Sequence, residues 1–170
     1  MAPKIYLAHG ASGSAASMQS HVDGLRRRGL DASAVQLPVG LAEKAVGRYR
    51  DQVPDLGGAM VGGQSYGGRV ASLLAAEEAP RGLVLLCFPL HRPGQPDPTA
   101  RVGHFSRIDC PVLLLSGESD QFARIELLRR AVAERLPTAQ LVTWPRIGHG
   151  LLPVKDEALA RMARFLEALS

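Results

Sequence analysis

The segment Gly62-Gly63-Gln64-Ser65-Tyr66-Gly67-Gly68 carries the sharpest chemical signal in the chain. Gly63, Ser65 and Gly67 stand at G-x-S-x-G spacing, after an apolar run and before a helical pattern. A serine lifted above a sheet must sit on a sharp, strained strand-to-helix turn, and flanking glycines let strand and helix approach closely. The bland alternative is a glycine-rich turn whose serine merely caps a helix. A phosphate loop would need Gly-Lys-Ser/Thr, whereas this segment continues Gly-Gly-Arg. No G-x-G-x-x-G opens a helix near the first apolar run, so no nucleotide site is expected.

A serine hydroxyl is a weak nucleophile without a base. Among His9, His21, His91, His104 and His149, the expected base is His149. It lies in Gly148-His149-Gly150, between the last apolar run and the last helical pattern, at the sheet edge that Ser65 occupies. His91 falls on the same edge and is the second choice; an exposed turn histidine is the plain alternative. The base needs an acid to orient it. In Gly117-Glu118-Ser119-Asp120, Asp120 is the expected acid and Glu118 its alternative, against the plain reading of an acidic turn. Ser65, Asp120 and His149 then follow the chain order nucleophile, acid, base.

His9-Gly10-Ala11-Ser12-Gly13 follows the first apolar run. The backbone N–H groups of Ala11 and Tyr66 are the expected donors to an oxyanion formed during acyl transfer. The His9 side chain reads as structural. The expected substrate pocket takes His9, Gly10 and Ser12 from this loop and Phe88, Leu90, Phe122 and Leu151 from other loop ends. Together with Tyr66 these make an apolar, partly aromatic wall suited to a short acyl group.

These residues need a scaffold that gathers them at one edge. Six short apolar runs stand out: Ile5–Ala8, Ala32–Leu37, Ala59–Gly62, Leu83–Phe88, Val112–Leu115 and Leu141–Trp144. Continuous runs of this length read as strands buried on both faces. Between them lie helical patterns. Met18, Val22 and Leu25 precede Gly29; Leu41 to Val53 is weaker; Val70 to Glu78 ends before Pro80. Ile125, Leu128, Val132 and Leu136 end at Pro137, and Val154, Ala158, Met162, Phe165 and Leu169 form the last stripe. Such alternation predicts a three-layer αβα sandwich over a mostly parallel six-stranded sheet. The longest irregular stretch is His91–Cys110.

The 170 residues make one expected domain, 1–170, with 46% hydrophobic residues and no low-complexity tract. The net charge is +4, carried by 17 Arg and 3 Lys. Arg26-Arg27-Arg28 is the only dense basic run and fits a helix C-terminus, so no nucleic-acid partner is expected. Cys87 reads as core; neither it nor Cys110 lies in a CxxC or Cys/His cluster, so no disulfide framework, metal or cofactor is expected. The N-terminal apolar stretch is too short for a signal peptide or membrane span, which leads to a cytoplasmic expectation without a membrane partner.

In this arrangement the chain resembles the α/β-hydrolase superfamily. The likeness runs from Leu7-Ala8-His9-Gly10 through Gly63–Gly67 and Gly117–Asp120 to Gly148–Gly150. Gly63-Gln64-Ser65-Tyr66-Gly67-Gly68-Arg69-Val70-Ala71-Ser72 and Leu86-Cys87-Phe88-Pro89-Leu90-His91 look like small, cap-less hydrolase-like proteins related to a subunit of the NSL chromatin complex. The chain is similar, more loosely, to dienelactone hydrolases, which use a cysteine where Ser65 stands. The resemblance implies a truncated α/β-hydrolase fold without a cap, strands ordered 2-1-3-4-5-6, and Ser65 beside the topological switch point. It implies a serine hydrolase cleaving a small carboxylic ester or thioester. The alternatives are a non-catalytic binding or scaffold protein, or an acyl transferase or perhydrolase on the same three residues.

Overall fold

Ile5 and Leu7 face one side of the first strand, Tyr6 and Ala8 the other, and each pair enters a different apolar core. The same alternation holds in the fifth strand, where Val112 and Leu114 enter one core and Leu113 and Leu115 the second. A strand with period-two side chains can feed two cores only if both faces of its sheet are covered. The computed structural model, which describes residues Met1–Ser170, shows that covering.

The strands are β1 (Ile5–Ala8), β2 (Ala32–Val35), β3 (Met60–Gln64), β4 (Gly82–Leu86), β5 (Val112–Gly117) and β6 (Gln140–Trp144). Every pairing is parallel, and the order is β2-β1-β3-β4-β5-β6. The sheet is thus wholly rather than mostly parallel. Helices α1 (Gln19–Arg26) and α6 (Lys155–Ala168) supply the core on one face. Helices α2 (Ala42–Asp51), α3 (Tyr66–Glu77) and α5 (Ile125–Arg135) supply the other.

Two expectations are corrected. The edge strand β6 is not buried on both faces: Gln140 is exposed and the rest of the strand is half-covered. An edge strand has one neighbour instead of two, which leaves that flank to solvent. Helix α3 begins at Tyr66, not near Val70, because the glycines of the turn are its first residues.

The stretch His91–Cys110 is packed down. It contains the single turn α4 (Thr99–Val102) and a 3-10 turn, Phe105–Arg107. Phe105 is fully buried edge-on to Phe88, with ring centroids 5.1 Å apart. His104 meets the Ser72 hydroxyl of α3 at 2.8 Å. No helix of the chain is long and apolar enough to cross a membrane.

Candidate active site

β3 passes into α3 through Ser65, whose backbone sits at φ 52 and ψ −115. Few side chains tolerate that geometry, and here the neighbours enforce it. A Cβ on Gly63 would lie 2.5 Å from the Gly67 carbonyl carbon and 2.8 Å from the Ala8 oxygen. A Cβ on Gly67 would lie 2.5 Å from the Ala8 oxygen and 2.6 Å from that of His9. No side chain fits at either position, so the glycines are required by close backbone approach. The Ser65 N–H donates to Leu86 O at 2.8 Å and extends the sheet ladder into the turn.

The Ser65 hydroxyl does not cap the helix it precedes. It lies 2.9 Å from His149 Nε2. This separates the turn from an ordinary serine N-cap, whose oxygen would accept from the first turn of its own helix. His149 Nδ1 lies 2.8 Å from Asp120 Oδ2. The Asp120 carboxylate is wholly buried, and its other oxygen accepts from the Phe122 N–H at 2.8 Å. Since Asp120 Oδ2 accepts from Nδ1–H, Nε2 is left with a lone pair towards Ser65. Phe122 packs on the imidazole, with ring centroids 4.6 Å apart.

The rival residues are engaged elsewhere. Glu118 accepts from Thr143 Oγ1 at 2.8 Å and Arg129 at 3.2 Å. His91 is buried, with Nδ1 donating to Arg92 O at 2.8 Å and Nε2 accepting from Arg124 N at 3.0 Å. His9 has the same design: Nδ1 donates to Gly10 O at 2.7 Å, and Nε2 accepts from Leu37 N at 2.9 Å. It ties the loop after β1 to the loop after β2. Ala11 and Ser12 are exposed on that loop, and the Ala11 N–H has no acceptor in the protein. Tyr66 is the first residue of α3, so its N–H lacks a helical acceptor. The positive end of the helix dipole, about half an elementary charge, lies at the same place.

The expected apolar pocket needs correction. Phe88 is 2% exposed and Leu90 fully buried, both within the core, so neither offers surface to a ligand. Between β4 and these two residues stands Cys87, at φ 52. Leu151 is 4% exposed, Tyr66 9% and His9 2%, which leaves Phe122 as the aromatic face open beside His149. Gly10 and Ser12 remain accessible. The cleft next to Asp120, about 440 Å³, is polar: Ile125 is its one hydrophobic lining residue.

Two residues escape a sequence reading. Cys87 Sγ accepts from the Gly150 N–H at 3.2 Å and so holds the turn that carries His149. Contrary to the sequence expectation, Cys87 does lie in a cluster: its sulfur and ligand atoms of Asp120 and His149 are within 4.8 Å of one another. Burial foremost pushes its thiol pKa up to about 12. Tyr49, fully buried on α2, accepts from Gly62 N at 2.9 Å, and its hydroxyl lies 2.7 Å from both Tyr6 O and Gly62 O. It anchors β1 to β3 just below Ser65. Tyr49 belongs to no motif, and the segment around Cys87 gives no sign of the role of its sulfur.

An αβα sandwich with a strained serine turn at a parallel-sheet edge, facing a histidine and a buried acid, defines a class of hydrolase-like folds. Comparison with known proteins agrees. The alpha/beta hydrolase domain family matches residues 41–169, and the chain belongs to that family. Among solved structures, a monoacylglycerol lipase from Paleococcus ferrophilus superposes with a TM-score of 0.83 at 16% identity, covering 99% of this chain and 96% of that one. A thioesterase domain from the curacin biosynthetic pathway gives 0.74 at 16% identity, covering 98% and 91%. An esterase from Pyrobaculum calidifontis gives 0.71 at 16% identity, covering 99% and 76%. At such identity the likeness concerns the fold, and the bond cleaved has to be argued from the site.

Proposed function

We propose that this chain is a serine hydrolase that cleaves a small carboxylic ester or thioester through an acyl-enzyme on Ser65. The observation that carries the proposal is the Ser65 hydroxyl, released from any capping duty and 2.9 Å from His149 Nε2. As Ser65 Oγ bonds to the acyl carbon, His149 Nε2 takes its proton and the carbonyl electron pair moves to oxygen. The N–H groups of Tyr66 and Ala11, at the positive end of α3, receive that oxyanion. Its collapse expels an alcohol or thiol, protonated by His149. A water then repeats the sequence and frees the acid. Asp120 stays ionised and steadies the imidazolium.

The test is a fluorophosphonate probe followed by a panel of p-nitrophenyl esters. Labelling should map to Ser65 and disappear in Ser65→Ala, with turnover falling by roughly 10⁶. A folded wild-type protein that neither labels nor turns over any ester would favour a scaffold role instead.

A further inference from the structure

One helical turn beyond Ser65 stands Arg69, whose N–H donates to the Ser65 carbonyl at 3.0 Å. Its Nη2 reaches Glu43 Oε1 of α2 at 3.0 Å, while its Nε is buried with no partner. Beside it opens a cleft of about 360 Å³, lined by Arg69, Arg92 and Arg101 together with Leu41, Glu43 and Asp97. Leu41 is an exposed apolar side chain of this lining.

The charges in this cleft do not cancel locally. Glu43 is already taken by Arg69. Asp97 turns Oδ1 to Thr99, accepting from its N–H at 3.0 Å and its hydroxyl at 2.6 Å. Arg92 and Arg101 form no ion pair at all. Arg101 is fixed as a wall, its Nη1 donating to Pro89 O at 2.9 Å. Burial, then the like charges of Arg69 and Arg92, pull the Arg101 pKa below the ordinary guanidinium value. His104 adds no further positive charge: burial, then Arg69 and Arg107, lower its pKa to about 4. Three guanidinium groups face two carboxylates, of which Glu43 is paired with Arg69 and Asp97 is turned to Thr99, so Arg92 and Arg101 are left to a bidentate oxyanion ligand.

Through Arg69 the cleft shares α3 with the turn that carries the nucleophile. Four residues of helix advance about 6 Å, so the Arg69 backbone is a short acyl or aryl length from Ser65. Tyr66 follows Ser65 on the same helix, its ring held by the hydroxyl donating to Pro38 O at 2.7 Å.

We propose that the Arg69–Arg92–Arg101 cleft binds an oxyanion group, carboxylate or phosphate, carried by the ester that Ser65 cleaves. The substrate is then an anionic ester rather than a neutral one. This rests on the serine-hydrolase proposal above, and the test separates the two.

Mono-p-nitrophenyl succinate and glutarate, which carry the charge on the acyl side, are compared with the neutral butyrate. 4-Acetoxybenzoate and 4-acetoxyphenyl phosphate, charged on the alcohol side, are compared with phenyl acetate. At least one anionic ester should exceed its neutral counterpart in kcat/KM by about tenfold or more. Arg101→Ala should lower that ratio by about tenfold, the worth of one charge-assisted contact. Since Arg101 also braces Pro89, Arg92→Ala is the second variant; Arg92 is exposed, its loss leaves no broken ion pair, and it should lower the ratio too. Glutarate and inorganic phosphate are titrated calorimetrically against Ser65→Ala, which reads the cleft without turnover and distinguishes the two anions. No anionic preference in any pair, with neither anion binding at millimolar concentration, overturns the proposal. Anion binding that weakens in Arg92→Ala, in a protein that never labels at Ser65, would sustain the cleft and sink the hydrolase instead.

Discussion

Replacing Asp120 by asparagine changes almost no volume and yet should nearly silence the enzyme. The carboxylate has two tasks: Oδ1 accepts from the Phe122 N–H and Oδ2 from His149 Nδ1–H, each at 2.8 Å. An amide has one oxygen and one NH₂. The Phe122 N–H can only donate, so the amide oxygen must face it. The NH₂ then meets His149 Nδ1, which must become the acceptor, and the imidazole proton moves to Nε2. That nitrogen now donates towards Ser65 Oγ and cannot take its proton. Flipping the amide restores the tautomer but sets NH₂ against N–H in a wholly buried pocket, at a cost of about 1–3 kcal/mol. The flipped form also lacks the negative charge that steadies the imidazolium. In comparable triads the exchange costs roughly 10⁴ in kcat, or about 5.5 kcal/mol of barrier. The assay is single-turnover hydrolysis of a p-nitrophenyl ester, with the fluorophosphonate labelling rate beside it. Asp120→Asn within tenfold of wild type, while Ser65→Ala is dead, would refute the assigned orientation of His149.

Three further outcomes are expected. Burial foremost raises the Cys87 thiol to about 12 and that of Cys110 to about 11. Ellman's reagent at pH 8 should therefore find no reactive thiol in the native protein and both after denaturation; rapid native labelling of Cys87 would contradict its burial. His21 and His104 each have a folded pKa of about 4, below the usual 6.5. Between pH 6.5 and 4 the unfolded chain binds more protons, so stability present at neutral pH is lost as pH falls, by roughly 2 kcal/mol after allowance for solvent screening. Urea melts across that range check it, and a curve that rises towards pH 4 would count against the assignment. Finally, with Phe88 and Leu90 sealed in the core, no apolar channel awaits a long chain. Each methylene contributes about 0.8 kcal/mol only when buried, so kcat/KM should peak at short acyl groups. A steady rise through decanoate would show that His91–Cys110 forms a lid.

The strands were legible because each apolar run is local, and their order came from the resemblance to the α/β-hydrolase superfamily. Ser65, Asp120 and His149 were legible for a related reason. Each follows the end of a strand, so identifying the strands puts all three at one edge. Which side chains point outward there was not legible. Phe88 and Leu90 stand at the same edge but turn inward to the core, and Phe105, more than a dozen residues on, completes their packing. The Tyr49 hydroxyl between β1 and β3 and the approach of Arg92 and Arg101 to Arg69 are equally non-local. No spacing in the chain encodes them.

Backbone strain at the site shows where legibility ends. Ser65 and Cys87 close the adjacent strands β3 and β4, and both stand at φ 52. Each donates its N–H to the next strand at 2.8 Å, Ser65 to Leu86 O and Cys87 to Leu115 O. Such conformations cost about 1–3 kcal/mol each and persist only where the surroundings over-determine them. Here the last rung of the ladder does so. At Ser65 the strained turn also needs close backbone contact on both sides, so glycines flank it and the motif is visible. At Cys87 the neighbours are Leu86 and Phe88, which pack as ordinary core residues and leave no mark. The two positions nevertheless serve one end. Ser65 lifts its hydroxyl above the sheet, and Cys87 turns its sulfur to the Gly150 N–H, which fixes the turn bearing His149. The distance from Ser65 Oγ to His149 Nε2 is therefore set from both ends by strained residues on neighbouring strands. Of those two, only the one that needed glycines could be found from the sequence.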